Sequence, residues 1–414
     1  MKIEFNIYAY IILSALLIQL TVDIIANYLN IKSLSQKLPD EFKGFYSSEK
    51  YAKSQEYTKA KTSFSMVSGV FDLIILFLFW FLGGFLWLDS LVRSYNYSQE
   101  ITGILFFAVL LLGRSLFSLP FSIYETFVLE EKFQFNLTTV RTFIMDRVKG
   151  IILGILIGGP ILYVILWFFI NAGDFAWVYV WVAVILFSVF MQYIAPVYIM
   201  PLFNKFTPLE DNKLKNLILK YAKSVDFSLT GISVMDGSKR SSKSNAFFTG
   251  FGKNKKIALF DTLIEKHTSL ELLAVLAHEI GHYKKKHIIK GMIISFIHTG
   301  ILLFLFSLVL NNKELFAAFG MNELSVYAGL IFFTMLFSPI EMILDPFMNL
   351  ISRKHEFEAD TFAVKTTGKL NEMIKALKKL SVDNLSNLTP HPFFVFLNYS
   401  HPPALERIKA LRKN

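Results

Sequence analysis

Residues 278–282, His-Glu-Ile-Gly-His, have the types and the spacing that metal-assisted hydrolysis needs. On a helix His278 and His282 lie four residues apart on one face, so both imidazoles can bind one metal ion. Glu279 stands beside them and can take a proton from an attacking water molecule. The pattern predicts a zinc hydrolase with one Zn²⁺ per chain. The alternative is an ordinary pair of exposed helical histidines.

The residues before the motif favour the metal site, because they predict the helix that it requires. Thr268 and Glu271 form a T-x-x-E capping box, which is typical of a helix start. Residues 272–277 are almost all apolar and lead directly into His278. We therefore expect the motif to lie within a regular helix.

A zinc hydrolase binds its metal through three protein ligands and keeps a fourth position open. The chain contains no cysteine, so the third ligand is a histidine or a carboxylate. The metzincin pattern needs Gly three and His six residues after the second histidine, and it is excluded because Lys285 and Ile288 stand there. A carboxylate further along the chain is the alternative.

Residues 352–360, Ser-Arg-Lys-His-Glu-Phe-Glu-Ala-Asp, offer Glu356 or Glu358 as that carboxylate. In a helix Glu356 and Asp360 share a face, whereas Glu358 points to nearly the opposite side. We predict that Glu356 binds the metal and that Asp360 accepts a hydrogen bond from a ligating histidine and so orients it. A solvated run of helical charges is the alternative.

The elements around these motifs are those of a membrane protein. Hydrophobic residues make up 54% of the chain and charged residues only 18%, which is more apolar than a water-soluble domain of this size needs. Each of seven apolar stretches has about the 20 residues that cross a bilayer. They are residues 7–26, 66–88, 101–128, 148–170, 175–200, 291–310 and 326–350. The predicted fold class is therefore an α-helical multi-pass membrane protein with seven transmembrane helices.

The basic residues predict the orientation of these spans. Residues 30–65 carry seven lysines, whereas residues 87–99 carry only Arg93 as a basic residue. The positive-inside rule then places the N-terminus outside and both polar regions, 201–290 and the tail from 352 onward, on the cytoplasmic side. A net charge of +10 could suggest a nucleic-acid partner, but the basic residues lie in alternate loops rather than in one stripe. We expect the lipid bilayer and no nucleic acid as a partner.

The chain divides into four parts on this basis. Residues 1–200 form a membrane body with spans one to five, and 201–290 form a cytoplasmic insert that carries the histidine motif. Residues 291–350 form spans six and seven, and 351–414 form a cytoplasmic tail that completes the site. Two crossings separate His282 from Glu356, so the chain returns to the side that it left. Within the insert we predict a helix at 213–224 and strands at 232–235 and 256–260.

Charged residues inside the spans also carry information, since an ionised group at mid-bilayer costs at least about 2.5 kcal/mol. Glu341 and Asp345 lie four residues apart in the seventh span. We expect them to face a water-lined interior near the site. Hydrogen bonding between helices is the alternative for polar residues of this kind.

Two further segments give these motifs a family context. They are S-N-A-F-F-T-G-F-G at 244–252 and N-Y-S-H-P-P-A-L-E-R-I at 398–408. With 278–282 and 352–360, they resemble the type I CAAX prenyl endopeptidases, which are integral-membrane zinc metalloproteases. The resemblance implies that seven helices enclose a water-filled chamber, capped by a mixed α/β gluzincin-type zinc protease domain. It also implies cleavage of peptides, including prenylated C-terminal CAAX sequences.

The resemblance assigns site residues as well. It gives His278, His282 and Glu356 to zinc and the role of general base to Glu279. Asn245 and Ala246 match a segment whose edge strand binds the substrate backbone. An ordinary turn into a strand is the alternative for that segment.

Two residues of the tail also acquire roles in this way. His401 matches a histidine that donates a hydrogen bond to the developing oxyanion. Arg407 is expected to brace the segment that contains His401 by ion pairing. The alternative for His401 is a turn residue before Pro402. Lys243 departs from the family, which often has histidine there, so the substrate contacts on that side are open.

Absent long insertions and an absent K-D-E-L retrieval signal favour a bacterial inner-membrane relative with a cytoplasmic active site. A eukaryotic host would instead imply the endoplasmic reticulum membrane. The expected partner is a peptide or protein substrate, prenylated or not.

Two other functions fit parts of the pattern: a membrane-protein quality-control zinc protease of the heat-shock type, and a non-catalytic transporter or lipid-binding scaffold with structural zinc. The intact Glu279 disfavours the scaffold, because a structural zinc needs no base.

Overall fold

The computed structural model describes residues 3–35, 37–210, 213–249 and 255–413. Seven of its helices are long and apolar enough to cross a membrane. We label these α1 (Ile7–Lys32), α2 (Ser48–Phe81), α4 (Gln99–Glu130), α5 (Val140–Asn171), α6 (Gly173–Phe203), α10 (His287–Val309) and α12 (Val326–Thr367). The number of spans predicted from the sequence is confirmed.

The remaining helices are shorter and lie between or after the spans. They are α3 (Gly84–Arg93), α7 (Lys213–Ser224), α8 (Asp261–Lys266), α9 (Ser269–Lys284), α11 (Lys313–Ala317), α13 (Leu370–Asp383), α14 (Pro392–Asn398) and α15 (Ala404–Lys413). The helix expected at 213–224 is confirmed as α7. The last three residues of the segment 244–252 lie outside the described residues.

The second span differs from its prediction. Its helix ends at Phe81 rather than at Leu88, because Gly83 has a left-handed backbone with φ of +76° and a new helix, α3, starts after it. Hydropathy cannot detect this break, since apolar residues continue on both sides of Gly83. Only glycine adopts such a φ at little cost.

The membrane helices contact one another in a closed order. Each packs against the next in the sequence α1, α2, α3, α4, α5, α6, α10 and α12, and α12 returns to α1. Only 6% of the most apolar window is buried in each of the second to fifth spans. A solid bundle would bury the inner stripe of every helix, so this ring leaves inner faces uncovered by protein. That its interior is water-filled stays a prediction.

One end of the ring is closed by a packed core. Trp80, Phe106, Leu166, Phe319 and Phe332 are fully buried there, and Phe319 stacks on Phe332 with ring centroids 3.8 Å apart. These residues come from the helix ends remote from the histidine motif. The opposite ends carry the polar elements of the site.

Those polar elements include a four-stranded mixed sheet. Its strands are β1 (Phe206–Pro208), β2 (Leu229–Met235), β3 (Ala246–Thr249) and β4 (Lys255–Phe260), in the order β1-β2-β4-β3. β2 and β4 are parallel, whereas β1 and β3 pair antiparallel with their neighbours. The strands expected at 232–235 and 256–260 are the central pair, each beginning slightly earlier than expected. The three-residue β1 was not predicted.

Ion pairs fasten this sheet to the membrane helices. Arg240, just after β2, donates two hydrogen bonds to Asp146 of α5 at 2.7 and 2.9 Å. Lys243 donates to Glu130 of α4 at 2.9 Å and to the Tyr57 hydroxyl of α2 at 2.8 Å. Lys243 therefore joins the sheet to the ring, which gives it a structural contact where its role was open.

The orientation of the spans yields a labelling experiment that the absence of native cysteine makes clean. Single cysteines at Lys220 and Lys369 should react with an impermeant maleimide from one face of the membrane, and one at Asn96 only from the other. The reason is that the chain crosses the membrane twice, through α10 and α12, between Lys220 and Lys369. Labelling of Lys220 and Lys369 from opposite faces would contradict the topology.

Candidate active site

Helix α9 carries the histidine motif and starts as the sequence predicts. The Thr268 hydroxyl accepts a hydrogen bond from Glu271 N–H, and the Glu271 carboxylate accepts one from Thr268 N–H at 2.9 Å. This reciprocal pair satisfies two backbone donors that a helix start leaves free. His278, Glu279 and His282 then fall near the end of a regular helix.

Gly281 allows the second half of the site to come close. A Cβ at this position would lie 3.1 Å from the carbonyl oxygen of Ala359 and 3.2 Å from its Cα. A side chain at this position would therefore require α12 or α9 to shift by a few tenths of an ångström. This contact sets Glu356, three residues before Ala359, opposite the two histidines.

Three ligand atoms converge at this contact. His278 Nε2 and His282 Nε2 are 3.1 Å apart. Glu356 Oε1 lies 3.1 Å from His282 Nε2, and Glu356 Oε2 lies 3.4 Å from His278 Nε2. Two ligands at about 2.0–2.1 Å from one tetrahedral zinc ion lie about 3.3 Å apart. The three side chains therefore have the spacing of metal ligands.

The hydrogen bonding of Glu356 also indicates a metal site. Its Oε2 is buried and accepts no aligned hydrogen bond, although Arg407 Nη1 lies 3.3 Å away. A buried carboxylate oxygen without a hydrogen-bond partner is costly, and a bound cation would satisfy it. Of the residues that the structure describes, His278, His282 and Glu356 are the group of three that could hold a metal ion.

The opposite nitrogen of His278 is held by Asp360. Its Nδ1 lies 2.8 Å from Asp360 Oδ1, which fixes the ring with Nε2 toward the site. Arg407 of α15 in turn donates two hydrogen bonds to Asp360, at 2.6 and 2.7 Å. These contacts place Asp360 where an acceptor can orient His278 and Arg407 where it pairs with that acceptor, while the roles themselves stay predictions.

Glu358 points away from the ligand cluster, as helix geometry predicted, and although partly exposed it has a protein partner. It lies 3.0 Å from His287 Nε2, and His287 Nδ1 lies 3.1 Å from His282 Nδ1. Sequence reasoning missed His287. Five residues after His282, it would point about 140° away on a continuous helix. The helix instead breaks at Lys286, whose φ of +59° turns His287 back over His282.

Burial and neighbouring groups together shift the pKa values of two residues of α9. Burial alone would lower the pKa of His278, but hydrogen bonds to Asp360 and Glu356 outweigh it and raise the pKa to about 9. Burial also raises the pKa of Glu279, although the adjacent histidines oppose this shift. Without a metal the site thus favours a positively charged His278, which shows that its field suits a cation.

These side chains line a cavity of about 170 Å³. Glu279 faces it together with two of the three ligand residues and the apolar side chains of α13. Asn245, Ala246, His401 and Arg407 line it as well. The cavity therefore brings together most of the residues that the sequence singled out, and His282 and Asp360 stand directly behind its wall.

One wall is the edge strand β3. Ala246 pairs with Leu259 of β4, and Asn245 O accepts a hydrogen bond from Phe260 N–H at 3.1 Å. Because the bonded pairs alternate along an antiparallel ladder, the N–H and C=O of Ala246 point toward the open edge. The Asn245 side chain accepts from that Ala246 N–H at 2.8 Å, where an incoming backbone carbonyl could take its place.

His401 lies at the mouth of the cavity. Its Nε2 is 3.3 Å from Glu356 Oε1, and 66% of its side chain is exposed. The preceding segment is anchored by Arg353 of α12, which donates hydrogen bonds to the carbonyl oxygens of Val395 and Tyr399. The same helix thus carries Glu356 and holds the loop that presents His401.

Comparisons with known proteins agree with this geometry. Residues 27–205 match the model described as CAAX prenyl protease N-terminal, five membrane helices, and residues 208–414 match Peptidase family M48. The chain belongs to the type I CAAX prenyl protease family. The family is therefore the one suggested by the sequence motifs, and the chain is a multi-pass membrane metalloendopeptidase. The match to the N-terminal model favours this family over the heat-shock type of protease.

Individual relatives of this CAAX prenyl protease family member align over most of their length. CAAX prenyl protease 1 of Saccharomyces cerevisiae is 39% identical, with 93% of this chain and 90% of that protein covered. The Homo sapiens homologue is 38% identical, with 91% and 88% covered. The crystal structure of S. mikatae Ste24p superposes with a TM-score of 0.93 at 36% identity and covers 99% of this chain and 100% of its own. The predicted fold class is confirmed.

The raised pKa of His278 predicts how metal affinity depends on pH. A metal ion must displace the proton from His278 Nε2, so the affinity should rise roughly tenfold per pH unit as long as the pH stays below the pKa. The pKa of His278, about 9, sets the upper limit of this rise. Competition with a chromogenic chelator measures the apparent Kd for Zn²⁺ across this range. An affinity that does not change with pH would show that His278 loses no proton on binding.

Proposed function

We propose that the chain is a zinc-dependent endopeptidase that hydrolyses peptide bonds at the cytoplasmic face of its membrane. The observation that carries this proposal is the convergence of His278, His282 and Glu356 at ligand spacing, with Glu279 in the cavity beside them. Two imidazoles and a carboxylate are the ligand set of thermolysin-type catalytic zinc sites. We assign these three residues to zinc and the role of general base to Glu279.

When bound, zinc supplies Lewis-acid chemistry, polarising a carbonyl and making water acidic enough to react near neutral pH. The Glu279 carboxylate takes a proton from the attacking water and later delivers it to the leaving amine nitrogen. Its raised pKa suits the first step, because a more basic carboxylate takes up a proton more readily, and a pKa closer to the working pH keeps both protonation states accessible. Asp360 keeps His278 in its ligating orientation, and Arg407 holds Asp360.

Two elements bind and orient the substrate in this proposal. The open edge of β3 accepts an extended peptide as an added strand, with Ala246 N–H and C=O as bonding groups once the Asn245 side chain moves aside. His401, at the mouth of the cavity, donates a hydrogen bond from Nε2 to the oxyanion that forms as the carbonyl is attacked. Its exposure leaves the imidazole free to turn toward a substrate.

We further propose prenylated C-terminal CAAX peptides as a substrate class, since the relatives are CAAX prenyl proteases by name. The lysine-rich segment 30–65 and the polar region 201–290 support a cytoplasmic site. The compact loops favour a bacterial cell membrane as its location, with the endoplasmic reticulum membrane as the counterpart in a eukaryotic host. In a bacterium the substrate can be an unprenylated peptide.

The proposed function is tested by peptide cleavage with purified protein in detergent. Cleavage of a farnesylated CAAX peptide should stop on chelation of the metal and return with added Zn²⁺. Glu279→Gln should retain zinc but lose at least about 10²-fold in turnover, because an amide cannot accept the proton. Mass spectrometry of the products and elemental analysis of the variant provide both readouts. Near-normal turnover would remove Glu279 from the mechanism.

The choice of third ligand is tested by two variants of one helix. Glu356→Ala should purify without zinc, since it removes one of three ligands. Glu358→Ala, only two residues away, should still bind one zinc per chain when zinc is in excess. Metal content measured by plasma mass spectrometry distinguishes the two. The reverse result would show that the wrong carboxylate was chosen.

His401→Ala tests the oxyanion role. An oxyanion donor acts mainly on the transition state, so kcat should fall by about 10²-fold while KM and zinc content stay near their original values. His391→Ala is the matched control, because His391 caps α14 in the same tail and does not line the cavity. An unchanged kcat with a raised KM would instead make His401 a substrate-positioning residue.

A further inference from the structure

The metal-facing nitrogen of His282 determines where the proton of its ring must be. Nε2 points at His278 Nε2 and Glu356 Oε1, each 3.1 Å away, so Nε2 is the ligating atom. A neutral imidazole has one donor and one acceptor nitrogen. If Nε2 gives its lone pair to a metal, the proton is on Nδ1, and that N–H needs an acceptor.

His287 is in place to be this acceptor. The two Nδ1 atoms are 3.1 Å apart, and His287 is buried. Within the described residues no carboxylate or carbonyl contact to His282 Nδ1 is found, in contrast to His278, whose Nδ1 has Asp360. An imidazole that accepts at Nδ1 must carry its own proton on Nε2.

The next contact satisfies that condition. His287 Nε2 lies 3.0 Å from Glu358 Oε2, and a carboxylate can only accept. Each proton position in the series is therefore determined: His282 Nδ1–H donates to His287 Nδ1, and His287 Nε2–H donates to Glu358. His355 stacks on the His287 ring, with centroids 4.0 Å apart and an interplanar angle of 10°, which keeps the ring in its plane.

We propose that His287 and Glu358 are positioning residues that hold His282 in its ligating tautomer and orientation, as Asp360 does for His278. This inference rests on the proposed metal site. It assigns a role to the carboxylate of 352–360 that does not bind metal, so one turn of α12 supplies a ligand through Glu356 and supports a second ligand through Glu358. Neither residue touches substrate in this arrangement.

The test measures zinc affinity, which needs no substrate. His287→Leu should weaken zinc binding by about 10- to 100-fold, the range for loss of such a partner. His287→Asn should recover most of it, because Asn Oδ1 occupies the position of Nδ1 and can accept from His282. His391→Ala is the control: His391 caps α14, lies outside this series of contacts and should leave the affinity unchanged. Zinc affinity is read by chelator competition and folding by the thermal transition of the metal-free protein.

A double-mutant cycle tests whether Glu358 acts on His282 through His287, an arrangement that we call the relay, or whether the two residues support the fold independently. Glu358→Ala alone should weaken zinc binding while still allowing one zinc per chain at saturation. In the His287→Leu background it should have no further effect, because Glu358 acts through His287. Independent, additive losses would overturn the proposal, as would an unchanged affinity in a folded His287→Leu variant or a failure of Asn to restore it.

A spectroscopic readout complements the affinities. The Co²⁺-loaded His287→Leu protein should show a shifted visible spectrum, because the orientation and basicity of a ligand change, whereas His287→Asn should resemble the original protein. Failure of the proposed function looks different. A protein that binds zinc as described but cleaves no peptide would leave the relay intact, whereas unchanged zinc affinity in His278→Ala would remove the metal site itself.

Discussion

The close approach of α9 and α12 is the contact on which the site depends. Glycine at 281 favours it, because a Cβ there would lie 3.1 Å from the carbonyl oxygen of Ala359 and one of the two helices would have to shift by a few tenths of an ångström. The two histidines lie on one helix, and the third residue of the group that could hold a metal ion, Glu356, lies on a helix 74 positions further along the chain. The geometry of the site is thus decided by how two helices pack rather than by the motif itself.

Packing at this contact has to overcome the electrostatic cost of the groups that it brings together. Glu356 and Asp360 are almost completely buried beside two histidines and Arg407. Buried carboxylates are costly unless they are paired and hydrogen-bonded, and here Arg407 and His278 partner Asp360. Glu356 Oε2 remains without an aligned partner. A cation would therefore be most stabilising beside Glu356 Oε2, where the two Nε2 atoms of His278 and His282 also lie.

The sequence predicted the parts that follow from local spacing. The capping box of Thr268 and Glu271 forms as expected, and helix periodicity selected Glu356 over Glu358 for the ligand cluster because both residues lie in one unbroken helix. The domain boundaries and the roles of His401 and Asn245 stay predictions. A water-filled interior also stays a prediction, although His298 Nε2 lies 3.0 Å from Glu341 Oε1 between two spans.

The parts that the sequence did not predict depend on single backbone conformations. Gly83 ends α2 early, and Lys286 redirects His287, and neither event has a signal in hydropathy or in helical spacing.

Helix α12 is continuous from Val326 to Thr367, through Pro339 and Pro346. At 1.5 Å per residue its 42 residues extend about 63 Å, roughly twice the thickness of the hydrocarbon layer. Its first half has the length and composition of a membrane span and is largely covered by neighbouring helices, and its second half carries Glu356 and Arg353, which anchors the His401 loop. The distance of Glu356 from the membrane is consequently set by its position along this one helix. A thicker or thinner bilayer would therefore shift Glu356 relative to the membrane surface together with the span.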